Sequence, residues 1–138
     1  MICGSYTSGR EDSFPAVCSI PRVEDGALRF CPVYAYGFTG GYYLHDRLPL
    51  DSGDIYFHDP DNDILVLFSG YIYNRSGIPG YPGLNTGDRE PVVAARLFLE
   101  EGPDFAKKLN GDFAIFICRP AGRKAYLFRD HAGIRPVS

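Results

Sequence analysis

A cysteine beside the start of a chain can act as a nucleophile that carries its own base, and Cys3 in Met1-Ile2-Cys3-Gly4 is placed for that chemistry. In N-terminal-nucleophile reactions the free α-amino group takes the thiol proton, directly or through a water, and its ordinary pKa of about 8 suits neutral pH. The mechanism needs the cysteine to be residue one. Here Met1 and Ile2 precede it, and a side chain as bulky as Ile2 disfavours routine methionine removal, so Cys3 reaches a free amine only if that two-residue leader is cleaved in another way. The alternative is an ordinary small thiol buried in a first strand, Ile2-Cys3-Gly4-Ser5-Tyr6.

Other reactive side chains are sparse. Cys18, Cys31 and Cys118 are far apart, with no C-x-x-C pair and no clustered histidines, so reduced thiols are expected and a zinc site is not. His131 lies in the Asp130-His131-Ala132-Gly133 turn, where a structural role is expected and Gly133 permits the turn. Asn74-Arg75-Ser76 fits a glycosylation sequon, without consequence for a cytoplasmic chain. The ten tyrosines and ten phenylalanines suit sheet packing.

The elements that must position Cys3 read mostly as strands at first. The 138 residues, 45% hydrophobic and 22% charged, suit one domain with a real core. Residues 27–36 alternate as a strand, with Pro32 pushing it to an edge or a bulge, and Gly37 to Gly41 then turn the chain. His58-Asp59-Pro60-Asp61-Asn62 is turn chemistry between Ile55-Tyr56-Phe57 and the apolar run 63–68, which predicts a hairpin whose second strand is buried on both faces. Gly77 to Gly83 is a glycine/proline loop of the kind that lines sites. A helix follows, capped by Asp88 or Thr86, with Pro91 in its first turn and Gly102 as its stop. A short helix is expected over Asp104 to Leu109, and then a hairpin pairing Phe113–Cys118 with Lys124–Arg129 across Pro120-Ala121-Gly122-Arg123.

The net charge of −3 and the lack of any Lys/Arg block argue against nucleic acid as a partner. No apolar run is long enough to span a bilayer, and Met1 to Ser19 lacks the pattern of a secretory signal, so no membrane partner and a cytoplasmic location are expected.

Five segments in order carry a family resemblance: Cys3-Gly4, LVLFSGYIYN (65–74), GDRE (87–90), LNGDFAIFI (109–117) and LFRDHAGIRPVS (127–138). Together they resemble the glutaminase half of asparagine synthetase and related class II glutamine amidotransferases. The resemblance implies an α+β fold, the four-layer αββα sandwich of Ntn hydrolases. It also implies one or two strands beyond the last motif, so a chain ending at Ser138 reads as C-terminally truncated, with residues 1–138 the N-terminal part of a larger protein. Cys3 falls on the nucleophile that attacks the side-chain amide of L-glutamine, forms a γ-glutamyl thioester and releases ammonia. Gly70 matches the backbone amide that holds the tetrahedral oxyanion, Arg47 the grip on the substrate α-carboxylate, and Asp88 the partner of its α-ammonium. Without the resemblance, Arg47 reads as a surface arginine beside Asp46 and Asp88 as a plain helix cap. Cys3 is expected at the end of a central strand within reach of Gly70, with Arg47 and Asp88 turned into the same pocket.

Two positions depart from the family motif. Ser69 stands where the oxyanion-hole asparagine belongs, and Tyr71 where a glutamate belongs. Losing one oxyanion donor typically costs about 10²–10³ in rate, roughly 3–4 kcal/mol of transition-state stabilisation. Two functions therefore follow from the resemblance. One is a working glutaminase that supplies ammonia to a C-terminal synthetase domain. The other is a degenerate Ntn domain kept for folding or docking, of the kind found in β-lactam synthetases and lasso-peptide cyclases. A free-standing binding module is a third class, favoured by nothing beyond the early stop at Ser138. ATP and magnesium are expected only in the absent synthetase domain, no cofactor is expected in this chain, and a homodimer is possible.

Overall fold

The computed structural model describes residues 2–6, 28–35, 38–45, 49–78, 81 and 87–132. Its organising element is strand β5 (Ile64–Ile72), whose first five residues are all buried. A strand turns alternate side chains to opposite faces, so a run buried throughout must be covered on both sides. On one side Ile64, Val66, Phe68 and Ile72 join a cluster with helix α1 (Glu90–Glu101). On the other, Leu65 and Leu67 join Val33, Tyr42 and Leu44.

Two antiparallel sheets result. The four-stranded sheet runs β4 (Tyr56–Asp59), β5, β6 (Gly111–Arg119), β7 (Lys124–Arg129) in spatial order. The three-stranded sheet runs β1 (Ile2–Tyr6), β3 (Phe38–His45), β2 (Leu28–Ala35). The described residues thus stack as helix, sheet and sheet, a mixed α+β arrangement, and no described helix is long and apolar enough to cross a membrane.

The expected β6–β7 hairpin forms across residues 120–123, with Phe116 opposite Leu127 and Ile115 opposite Phe128. The β4–β5 hairpin also forms, in register Tyr56 to Leu67. Helix α1 carries its proline in the first turn and ends at Gly102, whose φ of 67° suits a residue without a side chain. Its Phe98 packs edge-to-face on Phe105, Tyr126 and Phe128, with ring centroids 5.0 to 6.4 Å apart, and Phe105 meets Phe128 edge-on at 5.1 Å while Tyr126 and Phe128 stack at 6.2 Å.

Four expectations need correction. The stretch Gly37 to Gly41 is not simply a turn: Phe38 to His45 is the central strand of its sheet, and residues 36–37 lie outside the described residues. Gly41 belongs there because the neighbouring strand crowds it. A Cβ on Gly41 would meet the Phe30 ring at 2.6 Å, so the glycine lets that ring lie over the strand. Because β3 takes the centre, β1 and Cys3 sit at an edge of the sheet among the described residues. The helix cap is Arg89, with φ −79° and ψ 152° and no side-chain cap bond, while Thr86 lies outside the described residues. Asp88 does not cap because its carboxylate is taken by Arg96 on the helix. Lastly, the second short helix is a 3-10 helix that starts earlier than expected, over Gly102–Lys108.

Candidate functional site

The end of β5 is built around a backbone approach too close for side chains. Gly70 has φ +120°, and an ideal Cβ there would lie 1.8 Å from the Asp112 carbonyl oxygen. Across the ladder a Cβ on Gly111 would meet the Tyr71 carbonyl oxygen at 2.1 Å. Only glycine fits at either position. Despite the unusual φ, the strand keeps its alternation, because Ile72 is 5% exposed and back in the helix-side cluster. Ser69 and Tyr71 therefore continue the Leu65, Leu67 series on the side of the three-stranded sheet. Ser69 is half-buried there, and the Tyr71 ring is 54% exposed.

Opposite Gly70 stands Phe113. Its N–H donates to Asp130 Oδ2 at 3.1 Å, and its carbonyl accepts the Asp130 N–H at 3.0 Å. This rung is thus held from the β7 side. Beyond it, Asn74 fastens the strand end to the start of β6: its Nδ2 donates to the Lys108 carbonyl and its Oδ1 accepts from the Asn110 N–H, both at 2.8 Å.

Strand β1 approaches β5 to within 8 Å between Cα atoms. Within it Cys3 pairs with Gly41 and Gly4 with Gly40. The side chain of Cys3 lies outside the described residues, as do Arg47, the loop residues 79–80 and 82–83, and Gly133. His131 is exposed.

The GDRE turn is anchored at each charged residue. Asp88 Oδ2 accepts from Arg96 Nη1 at 2.5 Å, and its carbonyl accepts from Arg75 Nη2. Arg75 Nη1 in turn meets Glu90 Oε1 at 3.1 Å. Arg89 reaches back to the 3-10 turn Ser52–Asp54, forking onto both carboxylate oxygens of Asp51, with its Nη2 at 2.8 Å from Oδ2 and its Nε at 3.8 Å from Asp54 Oδ1. The guanidinium beside Asp51 holds that carboxyl below the usual carboxylate range, helped by the Gly53 N–H. These pairings are invisible in the sequence because the partners are 15 and 38 positions apart. Asp130 and Asn74 were each visible as part of a motif, but nothing local announces a carboxylate or an amide spent on a distant strand.

Two other features lie away from this end. Hairpin turns 60–63 and 120–123 border an open cleft of about 430 Å³ lined by His58, Pro60, Asp63, Pro120, Ala121 and Arg123. Its carboxylate is already occupied, since Asp63 accepts from the Ala121 and Gly122 N–H groups at 2.7 and 3.3 Å. Between the sheets, burial pushes the Cys118 thiol up to about 11. No group of three or more His, Cys, Asp or Glu side chains is placed to hold a metal ion among the described residues.

Residues 48–138 match the model of the glutamine amidotransferase domain family. Among curated proteins, the chain is 32% identical over 103 residues to the glutamine-hydrolysing asparagine synthetase of Sandersonia aurantiaca, covering 70% of this chain and 19% of that one. It is 30% identical over 110 residues to asparagine synthetase B of Escherichia coli K12, covering 74% of this chain and 20% of the relative. With glutamine-hydrolysing asparagine synthetase 2 of Bacillus subtilis the identity is 32% over 94 residues, covering 65% and 12%. The chain therefore spans about a fifth or less of the length of these relatives. A family match over residues 48–138, a span that includes the β5 end and the GDRE turn, means that the chain belongs to the glutamine amidotransferase domain family.

Proposed function

We propose that residues 1–138 are the glutaminase unit of a larger asparagine-synthetase-like protein, which hydrolyses L-glutamine and passes ammonia to an ATP-dependent synthetase domain. Cys3 is the nucleophile: its sulfur bonds to the Cδ carbonyl carbon of glutamine, the C–N bond breaks, and ammonia leaves with the proton taken from the thiol. Water then cleaves the γ-glutamyl thioester to give glutamate and restore the thiol. The Gly70 N–H, with Ser69 in place of the family asparagine, faces the developing oxyanion. Asp88 meets the α-ammonium and Arg47 the α-carboxylate, while Tyr71 borders the ammonium end. The observation that carries this reading is the rung at Gly70. Asp130 engages both the N–H and the carbonyl of Phe113, and the backbone at Gly70 tolerates no side chain, which supports a site selected to leave one amide accessible. The described layers would complete a four-layer αββα Ntn sandwich in a cytoplasmic, homodimeric protein. ATP and magnesium serve the synthetase domain and take no part in glutamine hydrolysis.

One observation favours a second reading, in which the unit is degenerate and retained for folding or docking. The Asp88 carboxylate already has a cationic partner in Arg96, and the exposed Tyr71 brings no negative charge to replace the missing glutamate. Ammonia and glutamate release from L-glutamine decides between them. Three proteins are compared: the chain as given, a version trimmed to begin at Cys3, and the trimmed version carrying Ser69→Asn and Tyr71→Glu. The glutaminase reading expects no appreciable turnover before trimming, because an amide nitrogen at Cys3 has no basic lone pair, and activity after it that Cys3→Ala abolishes. Silence in the trimmed protein with activity in the repaired one establishes the degenerate reading. Silence in all three removes hydrolysis from this chain.

A further inference from the structure

We infer that Arg89 is a positioning residue for the ammonium-binding carboxylate of Asp88, an inference that rests on the glutaminase reading above. Asp88 sits in the turn leading into α1, where a carboxylate can face an incoming cation only if the turn backbone is fixed. The cap makes no side-chain bond, and the contacts Asp88 itself receives, Arg96 on its carboxylate and Arg75 on its carbonyl, do not join the turn to the 3-10 turn Ser52–Asp54. Arg89 adds that link, next in the chain to Asp88. Its guanidinium forks onto both oxygens of Asp51 and lies near Asp54, and those two aspartates form a reciprocal capping box over the 3-10 turn, with Gly53 N–H to Asp51 Oδ1 at 2.7 Å and Asp51 N–H to Asp54 Oδ2 at 2.8 Å.

The receiving turn is shaped for this contact. Gly53 lies directly under the fork, so that a Cβ there would occupy the space of Arg89 Nη1. Ile55, which closes the turn, is 8% exposed and packs in the core between the sheets, and its carbonyl accepts the Phe68 N–H at 2.7 Å. Arg89 therefore ties the Asp88 turn to the body of the protein within two residues of the Ser69-Gly70 strand. A planar two-pronged donor does this where a lysine would not, because it sets direction as well as charge.

The test is calorimetric binding of L-glutamine and of glutaric acid monoamide, which lacks the α-ammonium, on a Cys3→Ala background that prevents turnover. The proteins are the parent, Arg89→Ala, Arg89→Lys, Gly53→Ala, which displaces the guanidinium without changing any charge, and the swap Asp51→Arg with Arg89→Asp. The inference expects Arg89→Ala and Gly53→Ala to weaken glutamine about fivefold, the upper end of what one exposed ion pair can transmit. It also expects unchanged affinity for the monoamide, a Tm within about 2 °C of the parent, partial rescue in Arg89→Lys, and recovery in the swap. Equal losses for both ligands, or glutamine affinity unmoved by either variant, overturns the positioning role while leaving the site standing. Binding of neither ligand by any of the proteins, the parent included, sinks the glutaminase reading and the role of Arg89 together.

Discussion

Replacing Gly70 by alanine tests the construction of the β5 end most directly. An L side chain at φ +120° carries of order 1–3 kcal/mol of backbone strain. The added methyl would also lie 1.8 Å from the Asp112 carbonyl oxygen, where ordinary contacts begin at 3.4 Å. Strands β5 and β6 must then separate by more than an ångström at a rung that Asp130 holds from the far side, an overpacking that costs a further 1–3 kcal/mol or so. Together these give a loss of about 2–6 kcal/mol, or a Tm lower by roughly 6–24 °C in a domain of this size. Circular dichroism melts and urea titrations at matched concentration measure it. Gly77→Ala is the control, because a Cβ there meets nothing within 4 Å, and it should stay within about 0.5 kcal/mol of the parent. The double variant Gly70→Ala with Gly111→Ala should lose less than the sum of its parts, since both substitutions force apart the same two strands. If Gly70→Ala melts within about 2 °C of the parent, the close approach of β5 and β6 is not what requires glycine, and the reasoning fails.

Asp130→Ala should cost about 1–3 kcal/mol by leaving the buried Phe113 N–H without its acceptor, and Asp130→Asn, which keeps an oxygen, should cost less; urea titration reads both. Asn74→Ala removes two side-chain bonds to the 108–110 segment and should cost about 1–2 kcal/mol, with faster hydrogen exchange at the Asn110 amide as its local signature. Because the Cys118 thiol is raised to about 11 from an ordinary 9.0, the unfolded chain gives up its proton first on the alkaline side. Stability from this group is complete below pH 9 and drains away toward pH 11, so Cys118→Ala should show a shallower fall in Tm across that interval even though its Tm at pH 7 is lower.

What the sequence disclosed about this fold follows the range over which each signal acts. The proline and glycine bounds of α1 and the β6–β7 hairpin are set by neighbours along the chain and could be read directly, whereas the short helix expected over Asp104 to Leu109 is a 3-10 helix that begins at Gly102. The double burial of β5 was also visible, because five consecutive apolar residues leave a strand no polar face. Strand β3 was hidden by Gly40 and Gly41, whose ordinary meaning is a turn; the purpose of Gly41 appears only when Phe30 from the adjacent strand is in place. The candidate site divides in the same way. Gly70 and Asp88 were singled out through their motifs, whereas the ties around them, Asp130 on Phe113, Arg75 on Asp88 and Asp51 on Arg89, join residues 13 to 38 positions apart and leave no local trace. Arg47 falls outside the described residues, so its place at the site rests on the resemblance.

Strands β5 and β6 belong to both hydrophobic clusters at once, with Val66 and Ile117 on the helix side and Leu67 and Cys118 on the other. A partition common to two compartments cannot be taken down for one of them alone. Peeling β5 away to wet the helix-side cluster also opens the cluster between the sheets, so the protein has no cheap half-melted form despite having two cores. Heat should release both in a single step, with aromatic signals from Phe98 and Tyr42 vanishing at the same temperature, and a destabilising change on one side of β5 should lower the melting of the other by an equal amount.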